Sequence, residues 1–159
     1  MYKIHGTLEG IADLLFNAPP PIEDEKAGGK SLSKMTAEEL RTDALKRLHQ
    51  NGHGLCLPPT GLLNALYAGS NRAGLKDGRR ALASTLEAVV FVEGDLLFGV
   101  DKPDYIHEAW GKVPPRTGAM VVIRRPALNA GWHLLFTFLV ADERISEAQM
   151  REAMDHAGL

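Results

Sequence analysis

The stretch "GLCLPPTGLLNALYAG", residues 54–69, decides how this chain is read. "GLCL" is apolar without alternation, as in a strand buried on both faces. Pro58 and Pro59 then end it, because proline offers no amide to a strand ladder. Thr60 follows, a residue suited to cap a helix start. "GLLNALYAG" continues with Leu62, Leu63, Leu66 and Tyr67 at helical spacing. A short strand that gives way at once to a helix places a strand–helix junction in the middle of the chain.

Upstream, "TAEELRTDALKRLHQNG" reads as a helix. Thr36 and Glu39 make a capping box, and Leu40, Ala44 and Leu48 share one face. Lys46, Arg47 and His49 fall in the last turn, with Gly52 just beyond. Before it, "APPPIEDEKAGGKSLSK" is rich in Pro, Gly and charge. Residues 18–34 are therefore expected to form a mobile loop, with too little apolar surface to offset the entropy of ordering. The start, "MYKIHG", alternates as a strand does. "TLEGIADLLFN" reads as a short helix or a turn, since Leu8, Ile11 and Leu15 share a helical face.

Downstream, "SNRAGLKDGRRALAST" is polar and glycine-containing up to Arg80. "LEAVVFVEGDLLFGV" suggests two strands about the turn Glu93-Gly94-Asp95, and "DKPDYIHEAWGKVPPRTG" a long irregular connection. "AMVVIRRP" and "GWHLLFTFLVAD" read as an antiparallel strand pair joined across "PALNAG". "SEAQMREAMDHAGL" closes as a helix packed on that sheet, with a Ser146–Gln149 capping box and a face of Met150, Ala153, Met154 and Ala157. Strands and helices in this order predict an α+β fold, and the expected plan is a modified ferredoxin-like antiparallel sheet with helices on one face. A length of 159 residues fits a single domain, 1–159.

Composition narrows the function classes. The formal net charge is -2, so nucleic-acid binding would need a local basic patch rather than a global excess. The one cysteine, Cys56, cannot form an intramolecular disulfide and reads as a small core residue. The start has no basic-then-apolar signal layout, and no apolar run is long enough to span a bilayer. The expectation is a cytoplasmic protein with no membrane partner.

Few motifs carry chemistry. "GGKS", residues 28–31, resembles the end of a phosphate loop, but Asp24 stands where its first glycine belongs and an acidic "PPPIEDE" leads in. His49, His53 and Cys56 have ligand-like spacing, yet a closed zinc site needs a fourth ligand. Asp101, Asp104, His107 and Glu108 cluster in "DKPDYIHE". Asp101, Asp104 and Glu108 could serve a metal-dependent nuclease, and a solvated acidic loop is the simpler reading. No nucleophile elbow and no cofactor motif is present. The basic residues are more informative. Arg72, Lys76, Arg79 and Arg80 lie in "NRAGLKDGRR", Arg116 in "PPRTG", and Arg124 and Arg125 in "IRRP". Guanidinium groups in loops and at strand ends suit phosphate contacts, and Trp110 and Trp132 are candidate base-stacking rings. Scattered surface arginines and packed tryptophans are the plain alternative.

Leu57-Pro58 followed by "GLLNALYAG" resembles the strand–proline–helix junction of the RAMP superfamily, found in CRISPR effector complexes. The closing "WHLLFTFLVADERISEAQMREAMDHAGL" is similar to that family's strand and capped helix. Such proteins continue into a glycine-rich loop and a last strand, whereas this sequence ends at Leu159. The chain also resembles an uncharacterised group of phage and prophage proteins, through Gly6-Thr7, Leu57-Pro58 and "SEAQMREAMDHAGL". The resemblance implies a RAMP-like ferredoxin fold and phage origin, and it supplies no catalytic residues. The function expected from residues and resemblance together is non-enzymatic binding of single-stranded DNA or RNA. Arg72, Lys76, Arg79, Arg80, Arg116, Arg124 and Arg125 would hold phosphates during phage replication, recombination or defence evasion. The alternatives are a protein-interaction module or homo-oligomer subunit that blocks a host factor, and a metal-dependent nuclease.

Overall fold

The structure is a computed structural model that describes residues 1–19, 35–113 and 119–158. In chain order its strands are β1 (Tyr2–Glu9), β2 (Leu14–Leu15), β3 (Gln50–Asn51), β4 (Gly54–Leu57), β5 (Lys76–Asp77), β6 (Arg80–Ala81), β7 (Val90–Val92), β8 (Leu96–Leu97), β9 (Tyr105–Val113), β10 (Ala119–Leu128) and β11 (His133–Val140). The helices are α1 (Ala37–Leu45), α2 (Pro59–Arg72), α3 (Leu82–Val89) and α4 (Glu147–Ala157). The fold is mixed α+β, built on small sheets. The described chain divides into two compact units. One holds Met1–Leu8, Cys56–Phe98 and Leu134–Leu159; the other holds Glu9–Leu55 and Gly99–His133.

In the first unit the strands run in the order β1-β11-β7. Along β11, Leu134, Phe136, Phe138 and Val140 are buried and alternate with more exposed neighbours, so the strand's period of two divides core from surface. α2 packs on both α3 and α4. Leu62, Leu66 and Gly69 recur at i, i+4 and i+7 and are buried, as are Leu82 and Leu86 of α3 and Met150 and Ala153 of α4. Each large aliphatic side chain so buried contributes about 1.5–3 kcal/mol. The α2–α4 crossing is close: a Cβ on Gly69 would fall 1.9 Å from the Ala153 carbonyl oxygen and 2.7 Å from the Ala157 nitrogen. The expected capping box of α4 is present. Gln149 N donates to Ser146 Oγ at 3.2 Å, and Ser146 N donates to Gln149 Oε1 at 2.9 Å. Between α2 and α3, β5 and β6 form a tight hairpin with Asp77 opposite Arg80. Gly78 takes the left-handed conformation, φ +61°, that this two-residue turn demands.

In the second unit the order is β2-β10-β9. β9 and β10 form a long antiparallel ribbon, in register from Ala119 opposite Val113 to Ala127 opposite Tyr105. β2 adds to its far end, Leu15 opposite Ala127 and Leu14 opposite Leu128. α1 packs against β10 and carries the expected Thr36–Glu39 capping box. Trp132 closes over Gly10. A Cβ there would lie 2.1 Å from the indole nitrogen, which donates to the Ala12 carbonyl at 3.0 Å.

Several local expectations are corrected. The helix after the double proline is capped by Pro58, with Pro59 inside its first turn and no side-chain cap from Thr60. Proline's fixed φ suits that position, and the amide it lacks would have had no partner there anyway. Residues 7–9 and 14–15 are strand rather than helix or turn. "DKPDYIHEAWGKV" is not an irregular connection, because Tyr105–Val113 is β9. Residues 82–89 are helical, and the strands on either side of Gly94 do not pair: β7 joins β11 and β8 joins β4. β10 and β11 are strands as expected, but they belong to different sheets and do not form a hairpin. The expected mobile loop over 18–34 lies outside the described residues except at its start. There Ala18 is buried, and its amide donates to the Arg47 carbonyl at 2.9 Å.

The Gly69 contact gives a sign-sensitive test. In an exposed helix, Gly→Ala stabilises by about 1 kcal/mol. Here the added methyl meets backbone that cannot swing aside, so Gly69→Ala is expected to destabilise by about 1–3 kcal/mol. Urea unfolding should show a lower midpoint with an unchanged slope; a higher midpoint would show that the helices separate at no cost.

Candidate nucleic-acid interface

The basic residues fall into two groups. In the first unit, Lys76, Arg79 and Arg80 are exposed on the β5–β6 hairpin. The hairpin is held to α3 by Thr85, whose hydroxyl donates to Asp77 Oδ2 at 2.9 Å. Arg72 is engaged inside the unit, its Nη1 donating to the His156 carbonyl at the end of α4 at 3.3 Å. In the second unit, Arg124 and Arg125 are consecutive on β10, so their side chains leave opposite faces of the strand. Arg116 lies outside the described residues, as do the "GGKS" residues 28–31.

Around β10 the structure adds two cations that the sequence did not single out for this role. A cavity of about 480 Å³ is lined by Arg124 and Arg125, by Arg47 just past α1, and by Lys112 of β9, with Asp43 and Leu40 of α1. Arg124 is committed in part: its Nε donates to Glu108 Oε1 at 2.6 Å. Arg47, Lys112 and Arg125 make no ion pair among the described residues. The Nε of Arg125 is buried without a hydrogen-bond partner among those residues. Trp110 stands two residues before Lys112 on β9, opposite Val122, which also lines the cavity. Trp110 is 71% exposed. Trp132, the other candidate stacking ring, is instead held against Gly10 by its bond to Ala12.

Two of the three carboxylates considered for a metal centre make structural bonds. Asp104 Oδ2 accepts from the Asn129 amide at 2.8 Å, and Glu108 answers Arg124. Among the described residues, no group of three His, Cys, Asp or Glu side chains is placed to hold a metal ion, and this covers Asp101, Asp104 and Glu108 as well as His49, His53 and Cys56. Cys56 is half-buried on β4, and burial raises its thiol pKa, so it carries little thiolate. No helix among the described residues is long and apolar enough to cross a membrane.

Asp13 ties the end of the β9–β10 ribbon to the segment before β2. It accepts from the Tyr105 hydroxyl at 2.5 Å and from the Ala130 amide at 2.9 Å. The Tyr105 bond, then the amide bond, holds the Asp13 carboxyl below its ordinary range, and the same pairing pushes the Tyr105 hydroxyl above its own. No family model matches the chain, and no curated protein or solved structure matches it either.

The Asp13 pairing predicts a pH window. A carboxyl with a lowered folded pKa stabilises the fold fully above the unfolded value, near about pH 4. That contribution is lost as pH falls through the lowered folded value. Stability measured by urea unfolding should therefore decline below about pH 4 more steeply in the parent than in Asp13→Asn or Tyr105→Phe. Superimposable acid limbs for all three would show that the pairing carries no stability.

Proposed function

We propose that this protein binds single-stranded nucleic acid without turning it over, chiefly through the β9–β10 ribbon. One observation carries the reading: three cations without ion pairs among the described residues, Arg47, Lys112 and Arg125, line one cavity beside an exposed tryptophan. Guanidinium and ammonium groups hold phosphates whatever the sequence, and an exposed indole stacks on any base. Arg124 adds a partly neutralised contact. Lys76, Arg79 and Arg80 on the hairpin supply further phosphate contacts, and Arg116 belongs to the same proposal. The setting is the one the resemblance implies, a phage protein acting in replication, recombination or defence evasion. The first unit, a three-stranded sheet with helices, is where a modified ferredoxin-like, RAMP-like plan would lie.

A second reading has its own observation. Phe91 and Leu135 are large apolar side chains on strands of the first unit, 51% and 71% exposed. Such residues favour contact with a protein partner or a second copy of the chain.

A salt titration of binding to a labelled oligonucleotide separates the readings, with Trp110 fluorescence as a second signal. Three to four phosphate contacts on a single strand give a log–log slope of about -2 to -3. Replacing both Lys112 and Arg125 by Ala should flatten it by about 1.4, and replacing Arg79 and Arg80 should flatten it by a similar amount. A pair whose loss leaves the slope unchanged is not part of the site. No affinity at low salt, with self-association by light scattering, would favour the protein-contact reading.

A further inference from the structure

β1 stands at the end of the order β1-β11-β7, so one of its edges has no partner strand among the described residues. Which backbone groups lie on that edge follows from the paired one. Just past β1, Gly10 N donates to the Trp132 carbonyl at 2.8 Å, and the Gly10 carbonyl accepts from Gly131 N at 2.6 Å. Gly6 lies against the Phe136 ring, where a Cβ would fall 2.3 Å from Cζ, and His5 Nδ1 meets Thr137 Oγ1 at 3.0 Å. These contacts advance in step along the two strands, with no bulge between them. On β11 the odd residues bond toward β7, as the Thr137 carbonyl does with Glu93 N at 2.9 Å, which leaves the even ones for β1. The even residues of β1 therefore bond inward, and the amides and carbonyls of Lys3, His5, Thr7 and Glu9 point to the outer edge. Native proteins blunt such edges with proline, bulges or short strands. β1 has eight residues, no proline, and charge only near its ends.

The strand is complementary to itself. Set antiparallel to β1 of a second copy about a two-fold axis at Gly6, Lys3 falls opposite Glu9 and His5 opposite Thr7 on the open face. Ile4 then falls opposite Leu8 on the face toward α4. An axis at His5 would set Ile4 opposite Gly6 and Lys3 opposite Thr7. An axis at Thr7 would set Leu8 opposite Gly6 and leave Lys3 without an opposite residue. The Gly6 register alone joins Lys3 to Glu9 and Ile4 to Leu8, and symmetry makes each pair twice. Ile4 and Leu8 are half-buried beside a groove of about 260 Å³ between β1 and α4, which Phe136, Met150 and Met154 also line. The same residues of a second copy would extend that apolar lining. Lys3 already meets Glu93 at 2.7 Å, with both side chains 48% exposed. A surface pair of that kind is weak, and an ammonium with three donors serves two carboxylates. We propose that this chain forms a symmetric dimer, β1 against β1 about Gly6, which joins two three-stranded sheets into one. The dimer uses neither the basic residues of the nucleic-acid reading nor Phe91 and Leu135.

Sedimentation equilibrium of the full chain over the micromolar range should give twice the chain mass, falling toward the chain mass on dilution. Thr7→Pro removes an outward amide that the chain's own ladder does not use. It should stay folded by circular dichroism and lose the dimer. Glu9→Lys sets a lysine opposite Lys3 and should weaken the dimer about tenfold. Adding Lys3→Glu exchanges the two charges and should restore it. The charge exchange decides the matter if Thr7→Pro does not fold. A chain that stays monomeric throughout overturns the inference and leaves the nucleic-acid reading standing. A dimer indifferent to Glu9→Lys, or one that the exchange does not restore, assembles through another surface or register and overturns it equally.

Discussion

At the α2–α4 crossing two helix backbones meet with no side chain between them on the Gly69 side. The space a Cβ would need is already filled by the Ala153 carbonyl oxygen. Such an approach requires small residues on both helices, and Gly69 faces Ala153 and Ala157. The rest of the first unit follows from it. With the helices this close, Leu62 and Leu66 on one and Met150 on the other are carried out of water together. The sheet contributes the alternate residues of β11 to the same core, Leu134, Phe136, Phe138 and Val140. The Ser146 capping box starts α4 at the point that lets Met150 and Ala153 fall on the buried stripe.

The second unit is held together differently. Its ribbon has few large buried side chains, and the end where Tyr105 faces Ala127 is tied by carboxylates that accept backbone amides: Asp13 from Ala130, and Asp104 from Asn129. Acidic residues that could have been read as catalytic are thus spent on turns. On the same ribbon Arg124 pairs with Glu108, while Lys112 makes no ion pair among the described residues. Surface ion pairs contribute little to stability, so the absence of an ion pair for Arg47 and Lys112 among the described residues costs the fold almost nothing.

Reading Arg124 and Arg125 as basic residues at a strand end was possible from "IRRP" alone. Arg47 and Lys112 were harder to see. Arg47 looked like the last turn of a helix, but α1 ends at Leu45 and releases it toward β10. Lys112 was hidden in a segment rich in proline, glycine and charge, where the alternation of β9 is masked by polar residues on both faces of the ribbon. Trp110 and Trp132 have the same composition and opposite fates. Only the glycine at position 10, far away in the chain, leaves room for one of them to pack.

Features settled within a turn or two of chain were determined by the sequence itself: both capping boxes, the break at Pro58, the tight hairpin turn at Gly78 and the alternation along β11. Each depends on groups within four residues of one another, so no distant segment is needed to decide it. Tertiary structure alone decided which strands pair and which cations meet. A strand displays two hydrogen-bonding edges, and nothing local says what fills them. β10 and β11 are neighbours in sequence, joined through residues 129–132, yet each finds its partners elsewhere. Burial and register over the whole chain choose those partners, and with them the four basic residues that line one cavity.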